Sequence, residues 1–108
     1  MAKHEFGLME IAPVHGARYD AYEPQKYHAI SVDDRVLAPF LGRFSHIDTF
    51  WHSLDIPMKG LNETGITLIP PASHPLFDCQ MDEDGLSELK RLFEKAMTEG
   101  KFIIHFGL

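Results

Sequence analysis

The chain has 108 residues, of which 44% are apolar and 24% charged, and its formal net charge is −6. This describes one globular domain, residues 1–108, with enough apolar surface for a core of its own. The acidic balance argues against a binder of nucleic-acid backbones, which needs a basic face, and no apolar run approaches the length of a membrane span.

The opening MAKHEFGLMEIAPVHG is interrupted by Glu5, Glu10 and Pro13 and does not read as a secretory leader; a short strand is expected at 6–11. APVHGARYDAYEPQKY follows neither a helical nor a strand period and reads as a loop of about 15 residues. It is expected to be ordered, because Tyr19, Tyr22 and Tyr27 give it surface to bury. YHAISV, 27–32, alternates as a strand, with His28, Ile30 and Val32 on one face. Asp33 and Asp34 suit a helix N-terminus, and Val36, Leu37, Phe40, Leu41 and Phe44 keep helical spacing after it. Pro39 and Gly42 are the weak points of that helix.

Two strands, 48–54 and 64–69, carry Trp51 and the run GITLI. They are joined by a loop with Pro57, Gly60 and Asn62 and are expected to pair antiparallel in the middle of the sheet. In the first, Phe50, His52 and Leu54 face one way and Thr49, Trp51 and Ser53 the other; the second is apolar enough to be covered on both faces. Pro70 and Pro71 end it, and Ser73 caps a short helix with Pro75 in its first turn and Leu76, Phe77 and Met81 buried. Leu86, Leu89, Phe93, Ala96 and Met97 form the apolar stripe of a helix over 86–99, with Asp84 as N-cap and Gly100 at the C-terminal turn. KFIIHF is the last strand, with Phe102, Ile104 and Phe106 opposite Ile103 and His105. The fold expected is α+β: a mixed four- to five-stranded sheet with about three helices packed mainly on one face.

Seven histidines invite metal or acid–base chemistry, yet none has a diagnostic spacing such as HExxH, and the lone Cys79 completes no CxxC. A small hydrolase or metal-dependent enzyme would draw on His52 with Asp48 or Asp55, on His28 or His105, and on Tyr22, if the three histidine-bearing strands are neighbours. The acidic run fails as a calcium loop, because aligning Gly85 at the sixth position puts Arg91 at the twelfth. No glycine-rich phosphate loop is present. Cys79, among Leu76, Phe77 and Met81, reads as a buried inert thiol, and a single cysteine suits the reducing cytoplasm.

Two features suit recognition instead. Arg18, Tyr19, Tyr22, Lys26 and Tyr27, with Trp51 close by, combine cations and aromatic rings of the kind enriched in binding clefts. Asp78, Asp82, Glu83, Asp84 and Glu88 form an acidic patch that would attract a basic protein partner. RYDAYEPQKYHAISVDD, GITLIPPAS and the ending FIIHFGL resemble a family of small uncharacterised bacterial single-domain proteins. The resemblance implies a free-standing bacterial domain and carries no catalytic residues. The expected function is therefore a non-catalytic binding or protein-interaction module, in one form an inhibitor or immunity-like protein, with no cofactor, metal or nucleic acid. The enzyme is the alternative, and a homodimer formed through a sheet edge is a further arrangement.

Overall fold

A computed structural model describes residues 2–81 and 86–107. Among them six strands form one open sheet: β1 (Lys3–Leu8), β2 (Ile30–Asp33), β3 (Asp48–Trp51), β4 (Pro57–Lys59), β5 (Ile66–Ile69) and β6 (Ile103–Phe106). Three helices accompany them: α1 (Asp34–Phe44), α2 (His74–Asp78) and α3 (Ser87–Glu99). The strand order is β2-β1-β6-β5-β3-β4 and every pairing is antiparallel. The α+β class and the three helices agree with the sequence reading, whereas the sheet is antiparallel rather than mixed and has six strands rather than four or five.

Both additional pairings have a local cause. β1 spans Lys3–Leu8 instead of 6–11 and lies inside the sheet between β2 and β6. Its pattern is hidden because His4 and Glu5, polar by type, are 0% and 8% exposed. Pro57–Lys59, expected as loop, pairs with the outer side of β3 and forms an edge. A proline is tolerated at that edge, where an amide donor can be missing. The tryptophan-bearing β3 does pair antiparallel with β5, as Phe50↔Leu68 and Trp51↔Thr67. It lies next to the edge, however, and the middle of the sheet is β6 and β5.

Directly opposed residues share a face, so the registers sort the sheet into two sides. Phe6, His105, Thr67 and Trp51 form one row, while Gly7, Ile104, Leu68 and Phe50 form a neighbouring row that points the other way. The first side receives the helices. α1 is capped by the Asp33 carboxylate, which accepts from the Arg35 amide at 2.8 Å, and buries Leu37, Phe40 and Phe44 with Pro39 inside the helix. α3 buries Leu89, Phe93 and Ala96 and stops at Gly100, whose φ of 66° places it in the left-handed conformation that glycine adopts without strain. Phe93 stacks on Phe77 with ring centroids 5.3 Å apart and meets Phe6 at 6.5 Å.

Ser73 precedes α2 but makes no side-chain cap; its hydroxyl donates to the Asp48 carbonyl at 2.6 Å instead. α2 turns His74 and Phe77 inward, which leaves Leu76 and Cys79 exposed on its other flank. Cys79 is therefore a surface thiol, not a buried one. The N-cap expected at Asp84 lies outside the described residues. No helix among the described residues is long and apolar enough to cross a membrane.

The second side of the sheet is covered by residues 9–29, which contain one short 3₁₀ turn, Pro24–Tyr27. Tyr27 lies directly on β1 at Gly7: a β-carbon added to Gly7 would stand 2.4 Å from Tyr27 Cβ. Tyr22 meets Phe106 edge-on at 5.4 Å, and the Tyr19 amide donates to the His52 carbonyl at 2.8 Å. The loop is thus docked on the sheet, as its tyrosines led us to expect.

Candidate functional site

The register row Glu5–Phe106–Ile66 on the loop-covered side floors a cleft of about 590 Å³. Lys3 and Glu5 reach it from β1, Asp20 and Tyr22 from the loop, and His52 and Gly65 from the turns flanking β3 and β5. The Tyr22 hydroxyl donates to Glu5 Oε1. That bond, followed by partial desolvation and the carboxylate charge, pushes the Tyr22 phenol above its ordinary value, so it stays protonated. Asp20 receives Arg18 through two contacts, Nε at 3.0 Å and Nη2 at 3.3 Å. Arg18 first, and His52 after it, hold the Asp20 carboxyl below its usual range.

His52 has a backbone φ of 61° and leaves strand geometry immediately after Trp51. Its position is fixed from both sides. The Ile66 amide donates to Nε2 at 3.2 Å, so the proton belongs on Nδ1, which faces Asp20 Oδ1 at 2.7 Å. A general base needs a free lone pair toward its substrate, and on His52 that lone pair is taken up by the backbone. Gly65 makes room for the ring, since a β-carbon there would lie 2.8 Å from His52 Nε2 and 2.9 Å from Trp51 Nε1.

The other catalytic candidates occupy separate environments. Asp48 pairs with Lys59 across β3 and β4. Asp55 pins the loop, accepting from the Gly16 amide at 2.7 Å and meeting His15 Nδ1 at 2.8 Å. His28, expected on a strand, follows the 3₁₀ turn with a φ of 51°, and β2 begins only at Ile30.

His105 lies on the helix side, fully buried and stacked on His4, with Nε2 2.8 Å from His4 Nδ1. His4 Nε2 in turn meets Asp34 Oδ1 at 2.8 Å. One proton arrangement satisfies the chain with neutral rings: His105 Nε2–H donates to His4, and His4 Nε2–H donates to Asp34. His105 Nδ1 is then left without a partner among the described residues. Burial first, and then the electrostatic influence of the neighbouring His4, push the His105 pKa down to about 3.

His28, His52 and His105 therefore do not converge. Among the described residues no group of three or more His, Cys, Asp or Glu is placed to hold a metal ion.

The recognition candidates are divided between two places. Tyr22 lines the cleft just described, while Tyr19, Lys26 and Tyr27 line a second one beside α3. Arg18 is exposed and engaged with Asp20, and Trp51, 37% exposed, stands edge-on to His52 at 4.6 Å. In the acidic patch, Asp78 pairs with Lys90 at 3.1 Å and Glu88 lies in the first turn of α3; Asp82, Glu83 and Asp84 lie outside the described residues.

Lys3, Glu5, Asp20 and Gly65 were not singled out from the sequence. Asp20 sits within the aromatic segment that was, and Glu5 would have followed from reading KHEFGL as a strand with buried polar members. The chain matches no protein-family model, no curated protein and no solved structure.

Proposed function

We propose that the chain is a non-catalytic recognition domain that binds a small organic cation in the cleft between Glu5, Tyr22 and Asp20. The observation that carries this reading is the composition of that cleft. Glu5, Asp20 and the Tyr22 phenol stand over an apolar floor of Ile66 and Phe106 with one ammonium, Lys3, in the lining; Arg18 already engages Asp20, so Glu5 is the carboxylate left for a guest. Glu5 Oε1 is engaged by Tyr22, and no second hydrogen bond to this carboxylate is made among the described residues, so it retains capacity for an ammonium donor. The Tyr22 and Phe106 rings supply π-faces for the apolar body and for the cation. The engaged lone pair of His52 and the dispersal of Asp48, Asp55, His28 and His105 weigh against the hydrolase alternative. A cytoplasmic location, from the single cysteine, and a bacterial origin, from the resemblance of RYDAYEPQKYHAISVDD, GITLIPPAS and FIIHFGL, belong to the proposal as separate expectations.

Trp51 is the sole tryptophan and does not line the cleft itself, but it touches His52 and Gly65, which do, so its fluorescence is a reporter of occupancy through those two residues. Titration with phenethylamine is expected to give a saturable change that weakens about tenfold or more in Glu5→Gln, equivalent to about 1.4 kcal/mol. An unchanged spectrum, or an equal response from Glu5→Gln, overturns the proposal. Ester or amide hydrolysis that disappears in His52→Asn would restore the enzyme reading.

A further inference from the structure

At the opposite end of β1 the chain leaves the sheet, and a second cleft of about 440 Å³ opens between residues 8–11, the tyrosine segment and the flank of α3. Its wall is apolar, formed by Leu8, Met9, Tyr19, Tyr27 and Leu92, and Ile11 at its margin is 83% exposed. Its charged members are Lys26, Lys95 and Glu10, with His28 beside them.

The lysines are the informative part. Among the described residues carboxylates engage Arg18, Arg35, Lys59 and Lys90, whereas Lys3, Arg43 and Arg91 stand apart from one another, on β1, α1 and α3, without an ion pair; in this cleft two lysines line one apolar wall. Lys101 meets Glu10 at 2.5 Å and Glu99 at 2.8 Å, so the one carboxylate in the cleft already has its counter-charge. Lys26 and Lys95 form no ion pair among the described residues. The Lys26 ammonium stands 5.6 Å from the centroid of the Tyr27 ring, at the boundary between the apolar wall and water.

Ligand chemistry follows by elimination. An inorganic anion would engage the ammonium groups and leave the apolar wall wet. An uncharged hydrocarbon would dry the wall and make no use of either ammonium. A molecule that satisfies both has an apolar body and one acidic head, and two flexible lysines with no arginine fork or helix N-terminus suit a single carboxylate.

We infer that this cleft binds a small monocarboxylate with an aliphatic or aromatic body, its head held by Lys26 and Lys95 and its body against Tyr27, Leu92 and Met9. This site is separate from the cation cleft and does not rest on the reading given there.

The experiment is titration of the ¹⁵N-labelled chain with octanoate, followed by the amides of Met9, Tyr27, His28 and Leu92. The expected result is saturable shifts confined to that neighbourhood, little response to inorganic phosphate or to octanol, and at least tenfold weaker binding in Lys26→Gln/Lys95→Gln. Both positions are exposed, so the double variant is expected to melt with the parent. No saturable shift at millimolar octanoate overturns the inference, as does equal affinity in the double variant. Phosphate binding as tightly as octanoate, or octanoate shifts centred on Glu5 and His52, would overturn it as well.

Discussion

The two faces of this sheet are held by different physics. Among the described residues, the helix side gathers fifteen buried apolar residues into one cluster and the loop side only five, so packing dominates the first and cannot by itself hold the second. The loop side is held by point contacts: Tyr22 on Glu5, Asp55 on His15 and the Gly16 amide, the Tyr19 amide on His52, and Tyr27 seated on Gly7. A side of the sheet filled by packing leaves no room for a guest, whereas a strap fastened at points leaves gaps between its fastenings. Both clefts lie beside that strap. Burial of apolar area is worth about 25 cal/mol per Å², so stability should be concentrated under the helices and ligand access under the loop.

The sharpest way to break this contrast is Phe93→Ala. Phe93 is 1% exposed and touches Phe77, Phe6 and His74, linking α3 to α2 and β1. Truncating such a side chain costs about 3–5 kcal/mol through lost transfer energy and the cavity left behind, a large share of the stability of a domain this size. Urea denaturation should show the midpoint falling with little change in slope. A loss below about 1 kcal/mol would mean that the helix side is not the main source of stability.

Acid should attack the same side next. His105 takes up a proton near 6.5 when unfolded but only at about 3 when buried beside His4, so in between the unfolded chain binds a proton that the folded chain does not. Its contribution is complete above pH 6.5 and is lost progressively as pH falls toward 3. At pH 5 the loss is about 2 kcal/mol, at about 1.4 kcal/mol per pH unit. Burial shifts His74 in the same direction. Asp55, held down first by His15, and Asp33, held down first by the Arg35 amide, act in the lower window, where carboxylates protonate. Melting curves between pH 7.5 and 5 should therefore fall in the histidine range, and His105→Gln, which keeps a donor toward His4 but does not titrate, should flatten them. An equally steep fall in that variant would place the acid sensitivity elsewhere.

The two faces also differ in how far the sequence disclosed them. The helix side could be read from period alone: Leu89, Phe93 and Ala96 repeat as a helix must, and Gly100 stops the run in the conformation it favours. The alternation of β6 placed Ile104 and Phe106 opposite Ile103 and His105 for the same reason. On the loop side, the tyrosines announced that the segment would dock but not where. His28 and His52 were given strand directions that their left-handed backbone does not allow. Glu5 was passed over because a carboxylate inside a sheet defies pattern reading until its partner, Tyr22, is known, and that partner comes from a contact 17 residues away. Point contacts between distant polar groups leave no periodic trace, so the clefts they frame emerge only in three dimensions.

The smallest expected effect tests the loop side most directly. Asp55 is a surface carboxylate that joins His15, the Gly16 amide and the Ser53 hydroxyl, tying the start of the loop to the turn after β3. Contacts of this kind, exposed and screened by water, contribute little to stability, so Asp55→Ala should scarcely move the melting curve. If the loop is strapped at points rather than packed, removing one fastening should nonetheless raise local opening without global unfolding. Trypsin reads that opening at Arg18, an exposed site within the strap, with Arg43 near the end of α1 as an internal reference. The expected outcome is several-fold faster cleavage after Arg18 in Asp55→Ala, with cleavage after Arg43 unchanged. Equal acceleration at both sites would mean that strap and core open together, and the two faces would then form a single cooperative unit.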